Sequence, residues 1–205
     1  MRYGMVIDLS RCVGCHACTV ACKQKNGTPP GVFWNSVLVG ESGKYPNSRM
    51  QFTPILCMHC ADAPCVKACP TGATEKQTNG TVTVDNEKCI GCRYCMMACP
   101  YDARWFNQSG LQPYNVGKDL TPFELAHKAD HPKGTVSKCD FCADRVAAGI
   151  KPKCDETCPA KARFFGDLDD PNSEVSQLIK RRGGYQLRAD LGTNPSIYYL
   201  PDKKA

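Results

Sequence analysis

Cysteine is the residue type here with the strongest chemistry, and its sixteen copies in 205 residues form four groups of four. Groups one and three have the spacing C-x2-C-x2-C-x3-C, group two has C-x2-C-x4-C-x3-C, and group four has C-x2-C-x11-C-x3-C. The groups are Cys12, Cys15, Cys18 and Cys22; Cys57, Cys60, Cys65 and Cys69; Cys89, Cys92, Cys95 and Cys99; and Cys139, Cys142, Cys154 and Cys158. Proline follows the last cysteine in groups two, three and four, whereas Lys23 follows it in group one. The groups are therefore repeats of one motif.

The motif places three sulfurs around one small volume and a fourth on the helix that follows. In bacterial proteins with two iron–sulfur clusters, a C-x2-C-x2-C-x3-C-P run gives three ligands to one [4Fe–4S] cluster, and its fourth cysteine to the other cluster. The cysteines of groups one and three match that spacing, and groups two and four are stretched versions of it. Sixteen cysteines make four complete sets of four, so the sequence predicts four [4Fe–4S] clusters.

If the fourth cysteine of each group binds the cluster of another group, the four groups must form two pairs. Groups two and three are expected to pair because only a compact hairpin separates Cys69 from Cys89, and groups one and four pair by elimination. The predicted ligand sets are Cys12, Cys15, Cys18 and Cys158 (cluster 1); Cys22, Cys139, Cys142 and Cys154 (cluster 2); Cys57, Cys60, Cys65 and Cys99 (cluster 3); and Cys69, Cys89, Cys92 and Cys95 (cluster 4).

Other cysteine chemistries fit the spacing less well. Structural zinc usually binds pairs of cysteines. In groups one and three a third cysteine follows the first pair after two residues, and a fourth follows after three more, so each of these groups has more ligands than the pair that zinc takes. A disulfide scaffold requires an oxidising compartment, and residues 1–20 lack the pattern of a secretory signal. The C-x3-C-x2-C motif of radical enzymes that use adenosylmethionine is absent from the sequence. His16 and His59 lie inside the cysteine loops and are expected to face solvent.

Composition argues against nucleic acid and small-molecule substrates as partners. The formal net charge is +6, but with sixteen thiolates on four clusters it would be about −2. The longest basic run, Lys180–Arg182, lies at the end of a predicted helix, where the helix dipole favours cations. No nucleotide-binding, flavin-binding or catalytic motif occurs, so we expect no catalytic residue. No apolar stretch approaches the 18 residues of a membrane-spanning helix.

The elements that must position the cysteines are short. A strand is predicted at Tyr3–Asp8, and further short strands at Arg104–Phe106 and Arg163–Phe165. A hairpin is predicted from Ala73–Lys76 and Thr81–Val84, with its turn at Asn79-Gly80. Short helices are expected after the third cysteine of each group. A last helix is predicted to start at Asp170-Pro171 and to stop at Gly183, followed by a polar tail that wraps a surface. Segments 24–50 and 107–138 are predicted to be long loops.

The order and spacing of the groups resemble a known family. The stretches that carry the resemblance are MVIDLSRCVGCHACTVACK, CMHCADAPCVKACPTGA, KCIGCRYCMMACPY and KCDFC…CDETCPAKAR, and they span nearly the whole chain. They are similar to the four-cluster electron-transfer subunits of molybdopterin oxidoreductases, such as dimethyl sulfoxide, polysulfide and arsenate reductases. The nitrate reductase relatives carry Trp in place of one group-three cysteine, but this chain has Cys92 there.

The resemblance implies an α+β fold of two pseudo-symmetric bacterial-type ferredoxin modules. The implied divisions are 1–23 with 135–170 as the first module, 51–107 as an inserted second module, 24–50 and 108–134 as interface loops, and 171–205 as a C-terminal helix and tail. The implied partners are a catalytic subunit that carries molybdenum or tungsten bis-pterin and, in some members, a membrane subunit that oxidises quinol.

The expected function is electron relay without bond chemistry on a substrate. A stand-alone soluble polyferredoxin is the alternative, and a metal-dependent or oxygen-sensing regulator would need a DNA-binding helix pair that the sequence lacks. By analogy with the family, cluster 1 lies nearest the catalytic subunit. The expected location is the outer face of the cytoplasmic membrane, reached by co-export with the partner, and the alternative is the cytoplasm.

Overall fold

The computed structural model describes residues 1–115 and 117–201. The α-helices of this part are α1 (Ala17–Asn26), α2 (Pro64–Lys67), α3 (Tyr94–Met97), α4 (Pro122–Ala126), α5 (Ala143–Ala147), α6 (Lys153–Glu156) and α7 (Glu174–Arg182). The strands are β1 (Tyr3–Asp8), β2 (Asn35–Ser42), β3 (Arg49–Leu56), β4 (Thr74–Lys76), β5 (Val82–Val84), β6 (Trp105–Phe106), β7 (Val136–Ser137), β8 (Arg163–Asp167) and β9 (Ile197–Leu200). These small sheets and short helices make a mixed α+β fold.

Strand β1 is the centre of the largest sheet. It pairs with β8 in antiparallel fashion and with β9 in parallel, so the strand order is β8-β1-β9. Met5, Val6 and Ile7 have no exposed surface, because a central strand is covered on both faces. The predicted strand at Tyr3–Asp8 is confirmed with its bounds.

Strand β9 corrects the prediction for the C-terminal tail. Instead of lying on a surface, Ile197, Tyr199 and Leu200 are completely buried beside β1. The Tyr199 hydroxyl donates a hydrogen bond to the Pro54 carbonyl at 2.7 Å. A strand of four residues, whose partner lies almost two hundred residues away, leaves little local signal in the sequence. Residues 202–205 of the predicted tail lie outside the described residues.

The predicted hairpin between groups two and three is confirmed as β4 and β5, with Gly80 in the left-handed conformation at φ 81°. The strand predicted after group three is β6 and begins one residue later, at Trp105. The strand predicted after group four is β8, which continues two residues further, to Asp167.

The two predicted long loops contain regular structure. Strands β2 and β3 pair along eight residues each, so segment 24–50 is half of a hairpin rather than a loop. Segment 107–138 contains α4, which a capping box starts: the Thr121 amide donates to the Glu124 carboxylate at 2.6 Å, and the Glu124 amide donates to the Thr121 hydroxyl at 3.3 Å. Strand β7 ends that segment and pairs with β6.

Helix α7 starts later than predicted. Asp170 accepts a hydrogen bond from the Asn172 amide in a turn, and the N-cap is Ser173, whose hydroxyl accepts a hydrogen bond from the Ser176 amide. The end at Arg182 is confirmed, with Gly183 in the left-handed C-cap conformation.

Helix α7 is tied to β1 by a buried carboxylate. The side chain of Asp8 is 1% exposed, and Arg182 contacts it through both terminal guanidinium nitrogens, with Nη2 at 3.1 Å from Oδ1. Burial acts to raise the pKa of Asp8, but hydrogen bonds from Arg182 and Ser10 outweigh it, so the pKa lies below its usual value. A lowered pKa means that this ion pair stabilises the fold above about pH 4, and that the stabilisation is lost as the pH falls through the folded-state pKa.

Arg182→Ala is expected to destabilise the chain because it removes the bidentate partner of the buried Asp8 charge and leaves Arg11, whose Nε lies 3.5 Å from Oδ2, as its cationic partner. The expected loss is about 2 kcal/mol at neutral pH, or roughly 5 °C in apparent Tm. Lys180→Ala removes the same charge from the same helix end, but Lys180 is exposed. Thermal denaturation of the cluster-loaded proteins should show the decrease for Arg182→Ala alone, and equal Tm values for both variants would contradict the prediction.

Candidate metal centres

The cysteine loops share one backbone feature. In each group the residue immediately before the second cysteine has a positive φ, at Gly14 (67°), His59 (43°), Gly91 (67°) and Phe141 (61°). Glycine adopts this conformation without strain. A side chain on Gly91 would also meet the Gly134 carbonyl oxygen at 2.1 Å, so this position needs glycine for space as well. The reversed backbone bends each C-x2-C segment so that its sulfurs face one space.

The helices hold the third cysteine in a constant register. Helices α1, α2, α3 and α6 each begin one residue before the third cysteine of their group, so the predicted helices exist and start slightly earlier than expected. Three of them are four residues long and end before a Cys-Pro pair, because proline lacks an amide hydrogen and restricts the residue before it. Helix α1 has Lys23 instead of proline and therefore continues past Cys22 to Asn26.

The structure brings the cysteines together across the motifs. Three small cavities are each lined by four cysteines, which are Cys12, Cys15, Cys18 and Cys158 in the first; Cys22, Cys139, Cys142 and Cys154 in the second; and Cys69, Cys89, Cys92 and Cys95 in the third. The remaining cysteines Cys57, Cys60, Cys65 and Cys99 are electrostatic neighbours of one another. These are the four predicted groupings, and helix α1 packs on α6 and α2 on α3 accordingly.

The sulfurs of each set are too far apart to bind a single metal ion, but they surround a shared space. All sixteen cysteines are free of disulfide bonds. Within residues 1–115 and 117–201, no three His, Cys, Asp or Glu side chains converge closely enough for a single metal ion. Four thiolate sulfurs around a shared cavity are the donor set of a [4Fe–4S] cluster. The residues present therefore fit this cofactor.

Hydrogen-bond donors face the fourth sulfur of every group. The Cys158 sulfur accepts from the Ala162 amide at 3.3 Å, and the Cys69 sulfur accepts from the Thr74 amide at 3.4 Å. The Cys22 sulfur accepts from the side-chain amide of Asn26 at 3.4 Å. Backbone amides of Tyr101 and Ala103 bond to Cys99 in the same way. Such bonds stabilise an ionised sulfur, which is the form that binds iron.

Several buried thiols are harder to ionise than a free cysteine. Burial raises the pKa of Cys60 to about 12, and the neighbouring Cys57 and Cys65 add to the increase, although the Thr193 hydroxyl lowers it. Burial likewise raises the pKa of Cys142 to about 11, and it holds that of Cys139 well above 9. Iron supplies the missing positive charge, since a coordinating thiol loses its proton outright.

The prediction that His59 faces solvent is wrong. His16 is exposed as expected, but His59 is completely buried and its ring stacks on Phe141 with centroids 3.8 Å apart. Its Nδ1 accepts a hydrogen bond from the Val82 amide at 3.0 Å. His59 and Phe141 occupy the same position in groups two and four, so equivalent loop residues of the two groups meet at this stack.

Sequence reasoning missed several buried polar side chains near the sulfurs, among them Arg104, Arg163 and Asn35. Arg104 and Arg163 are 2% and 3% exposed, and Asn35 is 1% exposed. The Asn35 side-chain nitrogen has no hydrogen-bond partner among the described residues, and Asn35 lines the cavity of Cys22 and Cys154. The repeated hexapeptides CPYDAR and CPAKAR, which end in the two arginines, were the signal that could have found Arg104 and Arg163.

Comparison with known families identifies this arrangement. A 4Fe-4S dicluster domain model matches residues 48–113 and 112–168, and a second 4Fe-4S dicluster model matches residues 11–73. The chain belongs to the 4Fe–4S dicluster family. Its cofactors are four [4Fe–4S] clusters, which agrees with the count of sixteen cysteines.

Curated relatives extend over nearly the whole chain. A Halobacterium salinarum protein, whose name assigns it as an iron–sulfur component of a dimethyl sulfoxide reductase, is 46% identical over 97% of this chain and 79% of its own length. The iron–sulfur protein ArrB of the respiratory arsenate reductase of Shewanella sp. is 41% identical over 98% and 96%. One component of the selenate reductase of Mesobacillus selenatarsenatis is 42% identical over 98% and 72%. This dicluster chain is thus an electron-transfer subunit of an oxidoreductase complex, neither catalytic by itself nor a stand-alone carrier.

Every α-helix within the described ranges is too short or too polar to cross a lipid bilayer.

Proposed function

We propose that the chain holds its four clusters as the predicted ligand sets, each with three cysteines from one motif and the fourth from its paired motif. The observation that carries this proposal is the lining of the cavities, where Cys158 joins Cys12, Cys15 and Cys18, and Cys69 joins the first three cysteines of group three. The two pairs of motifs correspond to two ferredoxin-like modules, with the bounds expected from the sequence. The clusters supply one-electron transfer, and the chain positions them and sets their potentials.

The clusters follow the order 1-2-3-4. Arg163 lies beside Cys18 of set 1 and Cys154 of set 2. Cys139 of set 2 and Cys57 of set 3 are electrostatic neighbours at the side of the His59–Phe141 stack. Arg104 lies beside Cys65 of set 3 and Cys95 of set 4. Each set therefore adjoins the next, and sets 1 and 4 form the two ends.

The partner at one end is a catalytic subunit that carries a molybdopterin cofactor. The names of the relatives support this proposal, since they are components of dimethyl sulfoxide, arsenate and selenate reductases. A membrane subunit that oxidises quinol is the proposed electron donor at the other end. The proposed location is the periplasmic face of the cytoplasmic membrane, reached by export together with the catalytic subunit.

The two ends can be told apart with matched variants. Val13 follows Cys12 of set 1 and is 62% exposed, and Ile90 follows Cys89 of set 4 and is 67% exposed. If the catalytic subunit docks at set 1, Val13→Glu buries a carboxylate in that interface and weakens the complex about tenfold or more. Ile90→Glu makes the same change at the opposite end and leaves this affinity unchanged.

Affinity should be measured by co-purification and titration of the two subunits, with iron content determined for each variant. Both variants are expected to keep their iron, because both side chains are on the surface. Weakening by Ile90→Glu in place of Val13→Glu would reverse the proposed orientation, and no weakening by either would remove the ends as docking sites.

A further inference from the structure

Two buried arginines occupy equivalent places in the chain. Arg104 and Arg163 each follow the last cysteine of their group by five residues, at the end of CPYDAR and CPAKAR. At the same distance after groups one and two the chain has Gly27 and Thr74, so each proposed module contains one such arginine. Arginine is almost never fully buried without a compensating partner, because a guanidinium keeps its charge.

Arg163 lies between two ligand sets. Its Nη2 donates to the Cys18 sulfur at 3.3 Å and to the Asn35 side-chain oxygen at 2.8 Å. Cys154 of the neighbouring set is also hydrogen-bonded to this guanidinium. Burial alone would lower the pKa of Arg163, but the charges of Cys154 and Cys18 outweigh it, so the pKa is raised. The compensating groups of this cation are thus sulfurs of sets 1 and 2.

Arg104 has the same relation to sets 3 and 4. Its Nη1 donates to the Thr74 hydroxyl at 3.2 Å, and its Nη2 has no hydrogen-bond partner of good geometry among the described residues. The sulfurs of Cys65 and Cys95 are its charged neighbours. Although burial opposes the charge, Cys65, Cys57 and Cys95 outweigh burial and raise the pKa of Arg104.

Neither guanidinium has a carboxylate as hydrogen-bond or ion-pair partner in the described ranges. The hydrogen-bond partners of the two arginines are sulfur atoms, a hydroxyl and an amide oxygen. Asp155 is a charged neighbour of Arg163 but is not hydrogen-bonded to it. Each guanidinium faces sulfurs that a bound cluster holds as thiolates.

We propose that Arg163 and Arg104 are positioning residues that act through the ligand sulfurs: each holds a permanent positive charge between two clusters and raises the reduction potential of both. The inference rests on the proposed ligand sets. Reduction adds one negative charge to a cluster, and a nearby cation stabilises the reduced form more than the oxidised form. The effect is strong because a buried charge acts through a low dielectric and is poorly screened by salt. A cation shared by two clusters shifts both potentials in the same direction, so it changes the difference between them less than it changes either one.

The test is redox titration of the cluster-loaded full chain in complex with its catalytic subunit, followed by electron paramagnetic resonance. We expect Arg163→Gln to shift two of the four midpoint potentials to more negative values. Arg104→Gln is expected to shift the other two, and the double variant all four. The lysine variants Arg163→Lys and Arg104→Lys keep the charge and should stay closer to the wild-type potentials. Arg181→Gln removes one exposed charge from helix α7 and should change none.

Iron content separates this inference from the proposed ligand sets. A wild-type chain with far fewer than about sixteen iron atoms would contradict the sets themselves. With iron complete, unchanged potentials in both glutamine variants, or one identical shift of all four clusters, would overturn the role of the arginines. If a glutamine variant loses its two clusters, the lysine variant decides. Two retained clusters with potentials close to the wild-type values support the role of the charge, and loss of both clusters overturns it, because charge alone is then not sufficient.

Discussion

Removal of iron from the anaerobically purified chain is expected to unfold it. Helices α2, α3 and α6 have four residues each, and isolated helices much shorter than about 12 residues are not stable in water. Most of the sheets have two strands, and a two-stranded sheet is marginal by itself. The main core cluster includes cysteines from all four groups, among them Cys18, Cys57, Cys95 and Cys139. The free energy of binding iron is thus a large part of the free energy of folding.

Far-ultraviolet circular dichroism and thermal denaturation, before and after treatment with an iron chelator, would measure this effect. The treated chain should lose its cooperative transition, and iron with sulfide under reducing conditions should restore it. Chelator already saturated with iron is the matched control and should change nothing. An iron-free chain that still melts cooperatively would show that the apolar core folds without the clusters.

The parts of the site that the sequence predicted are those set by local spacing. The x2, x2 and x3 intervals determine where each loop reverses and where each helix begins, and a proline after the fourth cysteine ends the helix. For the same reason the hairpin around Asn79-Gly80 is confirmed, because a two-residue turn signal acts within a few residues.

Contacts between distant segments were not predictable in this way. Strand β9 forms because it is buried beside β1. The polar residues around it in the sequence leave no local pattern that predicts a strand. Strand β2 exposes Leu38 and Val39 on consecutive residues, so it lacks a clean alternation of apolar and polar positions.

The burial of His59 depends on Phe141, which comes from another cysteine group. Both residues occupy a loop position that usually suits glycine, and a histidine there gives no sequence signal that it faces inward. Arg104 and Arg163 present the same difficulty. A charged residue is expected at the surface, and only the sulfurs around each guanidinium explain why these two are inside.

Cys92→Ser and Cys69→Ser are expected to damage the same cluster, although a hairpin lies between them in the chain, because both sulfurs line one cavity. Cys99→Ser lies in the same motif as Cys92 but is expected to damage a different cluster, since its neighbours are Cys57 and Cys65. Each single variant should retain about twelve iron atoms if the damaged cluster is lost and the other three assemble.

Double variants test directly whether paired motifs exchange their fourth cysteine ligands. The Cys69/Cys92 pair should still lose one cluster and retain about twelve iron atoms, whereas the Cys92/Cys99 pair should lose two and retain about eight. Iron analysis with electron paramagnetic resonance of the remaining clusters measures both numbers. If each motif instead held its own cluster, the two results would be interchanged. Loss of all clusters from a single variant would contradict their independent assembly. The comparison needs no assumption about potentials or partners, because it asks only which sulfurs share one cluster.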